Sequence, residues 1–522
     1  MPNFKPFNHD QNILLAINFQ DQLQPGSFEH TLHTLLNGQL DLSLFYERYT
    51  NDQGKGGRAA YDPALLLRIV LFAYSKGITS SRDIEWSCQT NITFKALSCD
   101  AKPHWTTIAA FVSSYDQAIE ALFEQVLLIC DQQGLLGKEL IAIDGCKMPS
   151  NAAKEWSGTH KELAAKRDKI QRQIRYWVDE HKAMDKDGTD TRKARTEQTL
   201  ATLEQAHNKI DQFLKTAAPR MGQGKRPKEV KSNITDNESA KMTTSKGTIQ
   251  GYNGVATVDK KHQIIVDAQA FGEGQEHHTL QPILEAVSDR FKRLKIAEDL
   301  YGGGTVVTAD TGFANEANMR YLHEQGINGY IPDNQFRSRD PKFQHQKTTY
   351  GKRHQKPKQQ QSPKVIPASA FSFDPVNLTC DCPAGNRLSL RSVRETDTGL
   401  PKAYFEGKLL QCRDCNIKHQ CMKNPAAANH SKGNGRQVSF VLNDKRKPTY
   451  TDWMKHRVDS VYGKEVYSHR MSVVEPVFGN IGTNKRLHRF SLRGKTKVQA
   501  QWRLFCLVHN IEKLANYGQL AA

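Results

Sequence analysis

The stretch ELIAIDGCKMPSNA, residues 139–152, decides how the rest of the chain is read. Leu140, Ile141, Ala142 and Ile143 make a short apolar run that ends on Asp144 and turns at Gly145. A short, continuously apolar run predicts a strand buried on both faces of a sheet. Closing such a strand on a carboxylate incurs the cost of desolvating its charge. The pattern recurs in GGTVVTADTGF, 303–313, where another buried strand leads to Asp310 and then Gly312.

Either aspartate alone fits a cap on the turn that follows it. Together they point to a shared divalent cation, because hard cations take oxygen ligands and Mg²⁺ needs only one or two carboxylates beside substrate phosphates. A third carboxylate, Glu475, lies in KEVYSHRMSVVEPVFGNIG, 464–482, on a predicted helix with Val466, Met471, Val473 and Val474. Pairing with Arg470 along the helix is the plainer reading of that glutamate.

The chain has 522 residues, room for about two to four domains. Lys and Arg number 73 against 55 Asp and Glu, a formal charge of +18. That balance favours a polyanionic partner, nucleic acid before an anionic membrane surface. No apolar run reaches the ~18 residues of a membrane span, and MPNFKPFNHDQN lacks a signal-peptide pattern. The expected place is the cytoplasm, at the nucleoid.

Four regions are expected. Residues 1–135 read as a helical, DNA-binding N-terminal domain, with YDPALLLRIVLFAYSKGI opening on a proline as a first helical turn allows. Residues 136–333 read as the first part of a mixed α/β core, with strands near 139–146, 251–259, 263–271, 303–313 and in INGYIPD. Within it, 155–235 holds a charged helical hairpin whose seam is Leu163, Ile170, Ile174 and Trp177 against Leu200, Leu203, Ile210 and Leu214. A basic loop follows at 220–233. Residues 334–440 read as a basic linker with a cysteine-rich, zinc-ribbon-like insertion, and 441–522 as basic C-terminal helices that complete the core.

The blocks AIDG, TADTGF and Tyr-x-x-Arg…VEPVFGNI, in this order, resemble the core of DDE transposases from bacterial insertion sequences, and the resemblance runs over roughly 58–515. It implies an RNase H-like fold with Asp144, Asp310 and Glu475 as a triad holding Mg²⁺ or Mn²⁺. It also implies double-stranded DNA as partner, both element ends and target, bound by a homodimer. Tyr467 and Arg470 match the family's Tyr-x-x-Arg element, and a guanidinium suits a phosphate bidentately. The family's lysine seven residues after the glutamate is replaced by Gly482, so Lys485 is the expected substitute, with Arg486 and Arg493 as further DNA contacts. The competing functions are a catalytically inactive DNA-binding remnant and a nuclease that never joins strands.

Five of the ten cysteines fall between 380 and 421, in CDCPAG and CRDCNIKHQC. One tight cluster in a large chain suits a metal site better than a disulfide framework. Cys382, Cys412, Cys415 and Cys421 are the expected ligands of one structural Zn²⁺, with Cys380 spare and His419 an alternative.

Overall fold

The computed structural model describes residues 16–49, 59–184, 190–222, 227–245, 247–343, 365–396, 400–431, 433–442 and 448–519. The expected hairpin turn at 185–189, part of the basic loop (223–226) and most of the basic linker (344–364) lie outside them. The chain divides into two compact units, Met1–Asn334 with Met454–Ala522, and Gln335–Trp453.

The first unit is built on a mixed sheet. Its strands are β1 (Leu140–Pro149), β4 (Ala240–Thr244), β5 (Gly247–Asp259), β6 (Ile265–Phe271), β7 (Val306–Ala309) and β8 (Asn328–Tyr330); β2 (Ser157–Gly158) and β3 (Ser232–Asn233) form a separate two-stranded ribbon. The main order is β6-β5-β1-β7-β8, with β4 on the first part of β5. β5 is antiparallel to β1 and β6, whereas β7 runs parallel to β1 and β8 parallel to β7. The central strands are buried on both faces, which is why LIAI and VVTA read as unbroken apolar runs. β4 has no such run and was not expected.

β6 is an edge strand, and its open backbone groups need partners. The C-terminal helix Lys495–Tyr517 supplies them from side-chain amides. Asn510 accepts from Ile265 N at 2.9 Å and donates to Ile265 O at 2.8 Å. Gln499 does the same for Ala270 N and Ala268 O, both at 2.6 Å. Trp502 donates to Val255 O at 3.0 Å. The helix is buried almost all round because it lies between the sheet and the N-terminal helices; Tyr74 and Phe505 stack with ring centroids 4.3 Å apart. Thus KVQAQWRLFCLVHNIEKL is a central core helix.

The N-terminal helices follow their sequence signals. Pro63–Ser75 is capped by Asp62, which accepts from Ala64 N at 2.7 Å, with Pro63 at the first helical position. Trp105–Ser114 and Asp116–Gln132 follow. Buried Arg290, on the helix Leu280–Arg293, ties Asp267 of β6 to Glu124 and Glu120 of Asp116–Gln132. Between β1 and β4 in sequence, His160–Met184 and Asp190–Thr216 pair along the expected seam, with Leu163, Ile170 and Ile210 buried. No helix among the described residues is long and apolar enough to cross a membrane.

The second unit contains an antiparallel sheet of β9 (Ser372–Asp374), β10 (Thr379–Asp381), β11 (Arg387–Glu395), β12 (Pro401–Glu406) and β13 (Gln437–Val441), in the order β13-β12-β11-β10-β9. Its core joins Phe371, Leu388, Phe405 and Val438 with Cys380. This is a larger sheet than a zinc-ribbon-like insertion requires.

Two stability experiments follow. Asn510→Ala strands one N–H and one C=O of Ile265, at about 1–3 kcal/mol for each orphaned group. Urea denaturation should show a loss of about 2–4 kcal/mol. His509 donates through Nε2 to Gln263 O at 2.9 Å, with Nδ1 facing the Asn480 amide. Burial pushes its pKa down to about 3, helped by Lys513 and Lys485 and opposed by the Gln263 bond. Its contribution to stability is whole above the unfolded value near 6.5 and is lost as the pH falls toward 3. The stability advantage of the parent over His509→Gln should therefore shrink by about 2 kcal/mol between pH 7 and pH 5.

Candidate active site

Parallel pairing of β1 with β7 carries Ile143 opposite Ala309. The next residue on each strand is an aspartate, so Asp144 and Asp310 leave the same edge of the sheet about one strand spacing, ~4.8 Å, apart. Asp144 also continues the ladder to β5, opposite Ala256. Asp310 opens the short turn Thr311–Phe313, but its side chain makes no cap hydrogen bond. The capping explanation does not account for it.

A cation answers both carboxylates. The Arg470 guanidinium lies 2.7 Å from Asp144 Oδ2 and 3.6 Å from Asp310 Oδ1. Arg470 is only 6% exposed. Its helix, Val461–Gly479, buries Val466, Val473, Val474 and Val477, and Arg470 sits in the middle of that apolar stripe. Burial pushes the Asp144 carboxyl above its usual range, opposed by Arg470 and the Gly145 amide and reinforced by Asp310. Arg470 Nε is buried and has no hydrogen-bond partner among the described residues. The Tyr467 ring lies under the guanidinium, 5.7 Å from its centroid.

A third carboxylate stands here that the sequence reading missed. Glu276 lies in GEGQEHH, the loop after β6. A methyl group at Gly312 would lie 2.1 Å from Glu276 Oε2, and one at Gly145 3.0 Å from Oε1. The Glu276 carboxylate therefore rests against the two glycines that follow Asp144 and Asp310. Asn253 Nδ2 donates to its Oε1 at 2.9 Å. Burial raises its pKa, opposed by the Asn253 bond and Lys147 and reinforced by Asp144 and Asp310. Nothing local marks Glu276 in the sequence, because it ends no apolar run.

The other expected residues are less uniform. Glu475 is exposed. Five residues beyond Arg470, it is turned about 140° around the helix, and none of its described contacts reaches either aspartate. Pro476 follows it inside the helix. Proline cannot donate to Ser472 O, which instead accepts from Gln263 Nε2 at 3.1 Å. Lys485, expected to face DNA, is fully buried and ion-paired with Glu512. That expectation is corrected, since a buried, paired ammonium is not free to meet a phosphate. Gly482 has open space where a side chain would project. Arg486 and Arg493 are exposed, with Arg493 Nε held by Asn151 O at 2.6 Å.

A groove of about 950 Å³ borders the Glu276 loop, with Gly272, Gly274 and His278 in its wall. Arg220, Lys228, Lys231 and Lys241 outnumber Glu229 and Glu273 along it. In the second unit, Cys382, Cys412 and Cys415 are close enough to Cys421 to oppose its ionisation, while burial raises its pKa and Arg436 opposes the rise. Cys412 Sγ fits against Gly407 and Gly435, where methyl groups would lie 2.8 and 3.2 Å away. Cys380 is fully buried in the apolar core, and burial lifts its thiol to about 11. Among the described residues no three His, Cys, Asp or Glu side chains stand in a ready metal-holding arrangement.

Residues 17–114 match the family model described as Transposase domain (DUF772), and residues 381–515 that described as Transposase DDE domain. The second match includes Arg470, Glu475 and the cysteine cluster, while Asp144 and Asp310 lie outside it. No curated protein and no solved structure matches the chain. The two matched stretches are thus similar to transposase domains, the second of them to a DDE domain.

Proposed function

We propose that this chain is a transposase that binds the ends of an insertion sequence, cleaves the DNA there and joins it to a target by metal-dependent phosphodiester chemistry. The observation that carries the reading is the convergence of Asp144 and Asp310 at one sheet edge under one buried guanidinium. The strand order β6-β5-β1-β7-β8, with only β5 antiparallel to its neighbours, supports an RNase H-like core.

In this reading Asp144 and Asp310 hold Mg²⁺ or Mn²⁺, with Glu475 as third member of the triad on the strength of the family pattern. The donors fit a hard cation: carboxylates at a sheet edge, and a carboxylate cradled where no Cβ could stand. Such ions, when bound, activate the attacking oxygen and stabilise the leaving one. Arg470 offers a phosphate its unpaired Nε and the nitrogen 3.6 Å from Asp310. The basic groove beside the Glu276 loop takes the DNA backbone, and the N-terminal helices and Arg486 and Arg493 add contacts. A homodimer on paired ends is the expected assembly.

The exposed Glu475 and the empty position at Gly482 favour a second reading, a DNA-binding remnant without catalysis. Asp144→Asn separates the two. With labelled ends and Mg²⁺, it should lower cleavage by on the order of a hundredfold or more, because a neutral amide replaces a carboxylate poorly at a hard cation. Binding to the ends, measured by gel shift, should stay near that of the parent. A variant that cuts as well as the parent rejects the catalytic reading. A parent that binds ends but never cuts selects the remnant.

For the second unit we infer one structural Zn²⁺ on Cys382, Cys412, Cys415 and Cys421. The support is that Cys382, Cys412 and Cys415 all lie near enough to act on the Cys421 thiol. Elemental analysis of purified protein should find one zinc per chain, and Cys412→Ser should remove it. Zinc-free protein with an unaltered unfolding temperature would reject the site.

A further inference from the structure

We propose that Glu276 is a metal-holding carboxylate of the same centre, acting with Asp144 and Asp310; this rests on the reading that those aspartates hold divalent cations. Three observations carry it. The first is space. Gly145 and Gly312 follow the two aspartates directly, and each leaves room that a methyl group would take from Glu276: the distances would be 3.0 Å to Oε1 and 2.1 Å to Oε2. The carboxylate is thus wedged between the two strand ends that carry Asp144 and Asp310.

The second is the pairing around it. The Arg470 guanidinium faces Asp144 and Asp310, whereas the one described side-chain hydrogen bond of Glu276 comes from a neutral amide, Asn253. Lys147 is near enough to favour its charge, but no hydrogen bond or ion pair joins the two. The third is an orphaned acceptor. Asn253 is 1% exposed, and its Oδ1 has no partner among the described residues. That oxygen would lie 2.8 Å from a methyl at Gly145, on the side where Glu276 sits. A buried amide oxygen beside three carboxylates is the donor chemistry of Mg²⁺ and Mn²⁺. It also orients Glu276 through its own Nδ2, as outer partners orient ligands in metal centres.

The three carboxylates are neighbours rather than an assembled ligand set among the described residues, so closing on a cation takes side-chain rotation. Glu276 has that freedom because a loop carries it, whereas Asp144 is held in the sheet.

The test is Mn²⁺ binding by the full-length protein, followed by calorimetry and by paramagnetic resonance of free Mn²⁺. The variants are Glu276→Gln, Asp144→Asn and Glu475→Gln, and thermal unfolding without metal checks each fold. Glu276→Gln keeps an acceptor for Asn253 and loses only the charge. It should weaken Mn²⁺ at least tenfold, as Asp144→Asn does, with unchanged unfolding. Parent-like affinity in Glu276→Gln beside a loss in Asp144→Asn overturns the role of Glu276 and leaves the aspartate reading standing. A parent that binds no Mn²⁺, or an Asp144→Asn protein that binds as the parent does, overturns both. Should Glu276→Gln fail to fold, Gly312→Ala displaces the carboxylate instead. The same tenfold fall supports the proposal, and parent-like affinity overturns it.

Discussion

Two carboxylates leave one edge of a buried sheet about a strand spacing apart, and that repulsion is the constraint around which the first unit is arranged. Desolvation and the charge of Asp310 act in the same direction on Asp144, and without a counter-charge its carboxyl would be driven further toward neutrality. The buried Arg470 is that counter-charge. Its own burial is tolerable only because both aspartates meet it, since an unpaired buried cation costs several kcal/mol.

The guanidinium reaches the sheet because its helix is fixed on both sides. One face buries valines against the sheet. The carbonyl that Pro476 leaves without a helical donor is taken up by Gln263, which lies between β5 and β6. The C-terminal helix in turn closes the edge of β6 with paired amides and stacks on the N-terminal helices through Phe505. The N-terminal helices and the carboxylate edge therefore share one core.

The second unit uses its cysteines in two ways. Cys380 serves as a small apolar core residue and its thiol stays protonated. Cys421, buried beside it, has Cys382, Cys412 and Cys415 near enough to oppose its ionisation, the condition that a bound cation relieves. A sheet of five short strands with a small core has much to gain from such a staple.

Much was legible from local pattern. Continuous apolar runs gave away β1 and β7, because a strand buried on both faces cannot hide its composition. The three- and four-residue spacing from Leu163 to Leu214 gave the helical hairpin, and a proline after an aspartate gave the start of the N-terminal helix. Asp144 and Asp310 stood out because each closes such a run. What no local pattern holds is which side chains meet. Glu276 comes to the centre only because β6 returns beside β5 and its loop falls against two glycines far away in sequence. Lys485 reads as one more basic residue in a basic segment, yet it is buried because Glu512 lies opposite on another helix. Arg470 and Glu475 share one short motif, and only the packing of the valine stripe decides that the arginine, not the glutamate, faces the aspartates. Sequence by itself determined which segments bury and where charge interrupts them, because burial follows composition over a few residues. Tertiary structure alone decided which charges become partners, because that depends on chain crossings that no single segment records.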